Sequence, residues 1–394
     1  SNTSHPSAPL RVVACIYDLR VGGAETSLLA EYRRLHQYNI DASVLCLGDD
    51  RTLEKEFAAA GVPVTFVPPG SRWSRGRYIV RFLQHGNFSL VHTMLFWPDV
   101  VVRPLARLCR IPVVSSLTNE YYGKEHRQHS HHGPLGVIVA QVADALTAKC
   151  AAGFHAISAR SGEIMARRLG IRNSRITVIY RGRDLEELGR RTPERRLAVR
   201  EKWGLRETFV FLCVGRQDYQ KAHEIAVRAF SEVAGEFPDS VLWLAGREGG
   251  NSPLVQSAIA QSPYRDRIVC LGERSDVADL LSAADAFVMP SRFEGLAGSV
   301  IEAMSLEAPL VLTDIPVFRE VADNRALFFR RDDAEGLAAS LRAVAAGEYP
   351  AGWVEELRER AEQVFDIESV TAELADFYVK NCRKLPPRPR TGGF

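Results

Sequence analysis

Short apolar, β-branched runs alternate with longer segments of helical periodicity along nearly the whole chain, and the alternation occurs twice. The first series is LRVVACI (10–16), ASVLCL (42–47), VTFV (64–67), LVHT (90–93), PVVSS (112–116) and FHAIS (154–158). The second is FVFLCVG (209–215), VLWLAG (241–246), RIVCLG (267–272), AFVMP (286–290), LVLTD (310–314) and ALFF (326–329). Strands that are apolar on both faces and separated by helices predict βαβ units in a parallel sheet. Two series therefore predict two doubly wound α/β domains, which 394 residues are long enough to build. Between them, 181–207 is crowded with charge, broken by Pro193 and without a strand-like run, so it reads as the connection. Val370–Lys384, with Leu374, Phe377 and Tyr378 at helical spacing, predicts a last helix, and LPPRPRTGGF (385–394) has the composition of a disordered tail.

Charge excludes some classes of function. Lys plus Arg total 50 against 48 for Asp plus Glu, a net of +2, whereas nucleic-acid binding usually goes with a far more basic chain. No run approaches the ~20 apolar residues of a bilayer crossing; even Leu135–Ala148 is interrupted by Gln141 and Asp144. The seven cysteines include no Cys-x-x-Cys pair and read as small core residues in a reducing compartment, which gives a cytoplasmic expectation. Ser1–Pro9, without Met or an apolar signal core, reads as a remnant of cloning and a flexible lead-in.

In a doubly wound sheet, ligands bind in loops at the carboxyl ends of strands. RVGGAET (20–26) places Gly22 and Gly23 before a helix, where free N–H groups favour an anion or the chain simply turns tightly. VGRQDYQKAHE (214–224) places Arg216 and Lys221 at a strand-to-helix corner, a pair suited to a diphosphate or to solvent. SRFEGLAGSVIEAM (291–304) places Glu294 before a helix and Glu302 one turn inside it, with Leu296, Ala297 and Gly298 around an open helix start. VCLGERSD (269–276), with Gly272 and Arg274, is a βα loop able to meet a planar base. EHRQHSHH (125–132) has four histidines but no paired helical spacing, so no metal is expected. GSRWSRGRYIVRF (70–82) reads as a solvated helix face, with contact to an anionic membrane or an acceptor as the other reading.

Taken in order, these segments resemble the retaining glycosyltransferases of family four, also called glycosyl transferases group 1, which have the GT-B fold. VGRQDYQKA resembles the family's V-G-R-x-x-x-x-K-G, and 282–314 resembles its A-D-x-x-x-x-P-S…E-G…E-A-M-A…P-V-V-x-x-D signature; VGGAE (21–25) and VIYRGRD (178–184) add to it. The resemblance implies two facing Rossmann-like domains with a cleft between them. The acceptor side would be 1–180, with 370–384 crossing back, and the donor side 181–369. It implies transfer of a sugar from a nucleotide-diphosphate donor, UDP- or GDP-type, to an acceptor hydroxyl, with no metal and no cofactor beyond the donor itself. Arg216, Lys221 and Glu294 would be catalytic. Gly22, Gly23, Gly272, Arg274, Leu296, Ala297, Gly298 and Glu302 would bind the donor, and Thr118, Asn119 and His92 would lie on the acceptor side. The acceptor would be a small molecule, a glycan or a lipid-linked sugar, reached from the cytoplasm with or without peripheral membrane contact.

Three departures from the family pattern stand out: Thr118 where many members have His, and Ala222 and Glu307 where Gly is usual. An epimerase or hydrolase on the same architecture, and a sugar-nucleotide-binding protein without activity, are the competing readings. His92 reads equally as a satisfied core residue.

Overall fold

The computed structural model describes residues 8–118, 122–123, 133–296 and 298–382. The chain divides into two units, Ser1–Gly182 with Ile367–Phe394, and Arg183–Asp366, so the second runs 183–366 rather than 181–369.

The first unit is a seven-stranded parallel sheet built from β1 (Leu10–Ile16), β2 (Ile40–Cys46), β3 (Val64–Phe66), β4 (Leu90–Met94), β5 (Val113–Leu117), β6 (Gly153–Ala156) and β7 (Ile176–Val178), in the order β3-β2-β1-β4-β5-β6-β7. Its helices are α1 (Gly23–Tyr32), α2 (Glu54–Ala59), α3 (Arg72–His85), α4 (Phe96–Leu108), α5 (Gly133–Ala148) and α6 (Ala159–Leu169). The second unit holds β8 (Phe209–Val214), β9 (Ser240–Ala245), β10 (Ile268–Gly272), β11 (Ala286–Met289), β12 (Leu310–Thr313) and β13 (Leu327–Phe329) in the order β10-β9-β8-β11-β12-β13. Its helices are α7 (Leu185–Leu188), α8 (Pro193–Lys202), α9 (His223–Val233), α10 (Ser252–Gln261), α11 (Val277–Ala283), α12 (Gly298–Ser305), α13 (Pro316–Val321), α14 (Ala334–Ala345) and α15 (Trp353–Val364). The last helix, α16 (Ile367–Asn381), belongs to the first unit.

Every expected strand is present, and both sheets are parallel throughout. Strand β7, three half-exposed residues at a sheet edge, was too short to give a run of its own. The charged stretch read as a connection contains α7 and α8, which pack on the second unit. Its arginines account for the charge: Arg191 and Arg196 donate to the carbonyl of Ala284, and Arg196 and Arg200 to that of Ala283, at the end of α11. Cations there satisfy carbonyls that have no partner within the helix and oppose its dipole.

Two of the family departures lie where the backbone turns left-handed. Ala222 has φ +51° and Glu307 φ +54°, so the usual Gly answers a conformational demand that this chain meets with a Cβ.

Helix α16 lays Val370, Leu374, Phe377 and Tyr378 into the core beneath α1. A buried hydrogen-bond chain fixes it there. His155 Nε2 lies 2.8 Å from the Ile179 carbonyl and must donate to it. Burial holds both His155 and His92 below their ordinary range, His155 at about 4, so both rings are neutral. His155 Nδ1 then accepts from Ser116 Oγ at 3.2 Å, Ser116 accepts from His92 Nε2 at 2.7 Å, and His92 Nδ1 accepts from the Tyr378 hydroxyl at 2.6 Å. Tyr32 donates to Tyr378 at 2.9 Å. All donors along this line point one way, from α1 and α16 through β4, β5 and β6.

Tyr378→Phe leaves His92 without its donor and Tyr32 without its acceptor, both fully buried. The expected cost is ~2 kcal/mol, read as a lower urea midpoint with an unchanged m-value; an unchanged midpoint would contradict the chain.

Candidate functional site

In each sheet the strand order reverses beside the first strand of its unit, at β1/β4 and at β8/β11. Loops leaving adjacent strands on opposite sides open a crevice there, at the carboxyl ends. In the second unit those loops are 215–222, after β8, and 290–296, after β11.

Glu294 is almost completely buried and is the hub of these two loops. Its Oε1 receives Lys221 Nζ at 2.6 Å and Ser291 Oγ at 2.8 Å, and its Oε2 receives Gln220 Nε2 at 3.0 Å. A buried carboxylate needs this much company, because desolvation alone would expel its charge. Gly215 makes the approach possible: its φ is +151°, and a Cβ there would press on the Lys221 stem at 3.1 Å. Arg216, its side chain half exposed, pairs through Nε and one terminal nitrogen with Asp218 Oδ2 at 2.8 and 2.6 Å. The other oxygen of Asp218 accepts the Lys221 backbone N–H at 3.2 Å. Lys221 and Arg216 each retain donors after these bonds, so both can meet a further anion.

The loops are clamped by Arg292, which sequence reasoning did not single out. It is buried, donates to Glu224 and Asp332 at 2.6 Å each and to the Tyr219 carbonyl at 2.6 Å, and lies over the Tyr219 ring. Gln220 and Ser291 were missed as well. Their signal was position alone, next to Lys221 and Glu294, since neither residue type announces chemistry.

The second expected carboxylate, Glu302, lies one turn inside α12 and accepts Arg183 Nε at 2.9 Å. The Arg183 guanidinium also occupies the space that a Cβ on Gly298 would need, so a side chain at the head of α12 would displace Arg183 from Glu302. Leu296 is buried before it, and Ala297 lies outside the described residues. Gly272 ends β10 with φ +66°; Arg274 is committed to Asp276 at 2.6 Å and faces Trp203, the ion pair raising the arginine and lowering the acid. His223 opens α9 fully buried, with both ring nitrogens unbonded among the described residues, and burial lowers it to about 4.

In the first unit the corresponding crevice is a cavity of about 390 Å³. Tyr17, Phe96, Trp97, Leu117 and Val137 make it apolar, and Ser116, Thr118, Asp99 and Asp144 give it a polar end. Behind that end Arg103, with no exposed surface, binds Asp99 at 3.1 Å and Asp144 at 2.6 Å, while Tyr122 donates to Asp144 at 2.8 Å. Burial pushes Asp99 upward against the pull of Arg103. Of the acceptor-side candidates, Thr118 lines this cavity. His92 does not: it is 1% exposed with both nitrogens engaged in the chain to Tyr378, the satisfied core histidine of the two readings. Asn119 and the His-rich loop 126–132 lie outside the described residues. Gly22 caps α1 in extended conformation, and the space a Cβ would take there is filled by Glu25, whose buried carboxyl is raised by desolvation. That helix start therefore meets an anion from its own chain. A Cβ on Gly23 would touch Arg181 at 3.2 Å.

Two parallel-sheet Rossmann-like units of this kind are the α/β architecture of the GT-B fold. Residues 21–187 match the family described as Glycosyltransferase Family 4, and residues 208–346 match the one described as Glycosyl transferases group 1. The chain belongs to this glycosyltransferase family. An Escherichia coli UDP-Gal:alpha-D-GlcNAc-diphosphoundecaprenol alpha-1,3-galactosyltransferase is 26% identical over 239 residues, which span 60% of this chain and 60% of that protein. A Rhizobium meliloti lipopolysaccharide core biosynthesis mannosyltransferase, LpsB, is 30% identical over 176 residues, 42% of this chain and 50% of its own length. The chain thus aligns with 60% and 50% of these relatives' lengths, less than two thirds of either. Among solved structures, Anabaena HepE in complex with UDP superposes with a TM-score of 0.83 at 18% identity, covering 94% of this chain and all of that one. WaaG, a glycosyltransferase involved in lipopolysaccharide biosynthesis, superposes with a TM-score of 0.71 at 17% identity, over 93% of this chain and 99% of that one.

Because His223 stays neutral to about pH 4 when folded but takes a proton near 6.5 when unfolded, the unfolded chain binds more protons between those values. Its contribution to stability is complete above about pH 6.5 and is lost as pH falls towards 4. His223→Leu is expected to reduce the slope of stability against pH in that window by up to ~1.4 kcal/mol per pH unit, measured by denaturant titration at several pH values. Equal slopes for the two proteins would refute the assignment.

Proposed function

We propose that the chain transfers a sugar from a nucleotide-diphosphate donor to an acceptor hydroxyl with retention at the anomeric carbon. The observation that carries this reading is the corner of the second unit at the strand-order reversal, where Lys221, seated on buried Glu294, and Arg216, paired with Asp218, both keep donors free. As the bond between the anomeric carbon and the phosphate oxygen breaks, its electron pair stays on the diphosphate, and the free donors of Lys221 and Arg216 meet the growing charge. The acceptor oxygen bonds to the anomeric carbon on the face the diphosphate leaves, and the acceptor proton passes to a phosphate oxygen. In this reading Glu294 orients Lys221 and meets hydroxyls of the transferred sugar, and Glu302 turns from Arg183 to the ribose. The cations make a metal unnecessary, so turnover is expected to persist in EDTA. Among the described residues no cluster of His, Cys, Asp and Glu has the geometry of a metal site.

A UDP-type donor is favoured by the named substrate of the galactosyltransferase relative and by the UDP bound in HepE, with GDP-type donors as the other choice. The apolar, aromatic-lined cavity of the first unit supports an acceptor with a ring or hydrocarbon portion, including a lipid-linked glycan such as that relative's acceptor. The seven unpaired cysteines suit work in a reducing compartment such as the cytoplasm.

Arg216→Ala and Lys221→Gln are each expected to lower kcat by ~10²-fold or more, with little change in KM for the acceptor. The check is turnover of UDP- and GDP-sugars with glycan and lipid-linked acceptors, with product stereochemistry read by NMR. Near-normal turnover in both variants would sink the diphosphate assignment; donor conversion without any acceptor would favour an epimerase or hydrolase.

A further inference from the structure

Helix α5 has two faces. Gly136, Val137, Ala140 and Asp144 turn inward to wall the cavity of the first unit. Outward, Leu135, Ile138, Val139, Val142 and Leu146 form a stripe at i, i+3, i+4, i+7 and i+11, exposed by 74, 42, 62, 53 and 59%. A helix in a water-soluble layer puts polar side chains on that side, and a contiguous apolar strip of this kind marks a contact surface.

The neighbouring helices say what the strip contacts. α5 packs beside α4, and α4 beside α3, over one face of the sheet. Across these three helices no carboxylate is exposed, because Asp99 and Asp144 are both buried on Arg103. Exposed cations are plentiful: Arg72, Arg77 and Arg81 on α3, and Arg107 and Arg110 at the end of α4. None of these five makes an ion pair among the described residues, although ion pairs hold many arginines elsewhere in the chain. Trp73, 86% exposed, stands among the cations of α3.

We propose that this face of the first unit docks on an anionic lipid bilayer, with the α5 stripe entering the boundary between headgroups and acyl chains and the arginines of α3 and α4 meeting lipid phosphates. On its other side α5 packs against α6, whose exposed Glu163 is paired with Arg167. An apolar stripe bordered on one side by unpaired cations and aromatic rings has the composition of an interfacial surface, and Trp side chains settle at headgroup depth. A second copy of the chain is disfavoured as the occupant, because two such faces would bring like charges together. The inference goes beyond sugar transfer and holds whichever sugar is moved. It has a consequence for the site, since the helix that touches the bilayer is also a wall of the apolar cavity.

The test is co-sedimentation of the full chain with vesicles of phosphatidylcholine alone and of phosphatidylcholine mixed with phosphatidylglycerol. The chain is expected to pellet with the mixed vesicles and to stay in solution with phosphatidylcholine alone. High salt should release it. Ile138→Ser with Val142→Ser should abolish pelleting at an unchanged thermal midpoint, and each of Arg72→Ser, Arg77→Ser and Arg81→Ser should lower the partition about fivefold, the equivalent of ~1 kcal/mol per basic residue at an anionic surface. The salt series needs no variant and so stands even if one fails to fold. Equal behaviour with both vesicles, or pelleting unaffected by the serine substitutions, would overturn the proposal, as would a concentration-dependent dimer in light scattering that the α5 variant abolishes. Donor turnover is not read here, so failure of the membrane contact is distinct from failure of the transfer reaction.

Discussion

The architecture of the first unit hangs on a single line of buried hydrogen bonds running from Tyr32 through Tyr378, His92, Ser116 and His155 to the carbonyl of Ile179. Its direction is forced from one end, because a carbonyl can only accept. Once His155 donates there, each neutral ring and hydroxyl upstream has one remaining role. The line joins three sheet strands to the helix that closes the chain, so α16 is held in the first unit by directional bonds as well as by its apolar face. A protonated histidine anywhere along it would present two donors and break the sequence, which is why burial of both rings matters.

The second unit concentrates its polar chemistry at one corner for a topological reason. Where strand order reverses, the loops after β8 and β11 diverge, and the space between them is lined by whatever those loops carry. Here they carry a buried carboxylate, a lysine bonded to it and an arginine with donors to spare. The low-dielectric setting that makes Glu294 dependent on Lys221 also strengthens any further anion contact made there. The missing Cβ at Gly215 lets the Lys221 stem lie against the loop, and that at Gly298 makes room for the Arg183 guanidinium.

Much of this was legible in the residues. The strand runs stood out because both faces of a parallel strand are apolar, and Arg216, Lys221, Glu294 and Glu302 stood out because charge at the end of such a run has few structural excuses. β7 was missed because three edge residues carry no periodicity. The stretch 181–207 was misread as a connection because its arginines serve helix-end carbonyls, a role that composition cannot distinguish from solvation. Arg292, Gln220 and Arg183 went unnoticed for a similar reason: their carboxylate partners Glu224, Glu294 and Glu302 lie 68, 74 and 119 residues away in sequence but adjacent in space. His92 attracted attention by residue type and was decided by its neighbours.

By itself the sequence determined the class of fold, the two domains and the strand-end loops that carry the charged residues, because hydrophobic periodicity and strand-end charge are local properties of the chain. Only the tertiary structure decided which charges meet. It paired Lys221 with Glu294 and Arg183 with Glu302, withdrew His92 into a core network, and left the outer face of α5 apolar beside the cationic helices α4 and α3. Partner choice depends on burial and on distances between residues far apart in sequence, and those quantities exist only once the sheets have assembled.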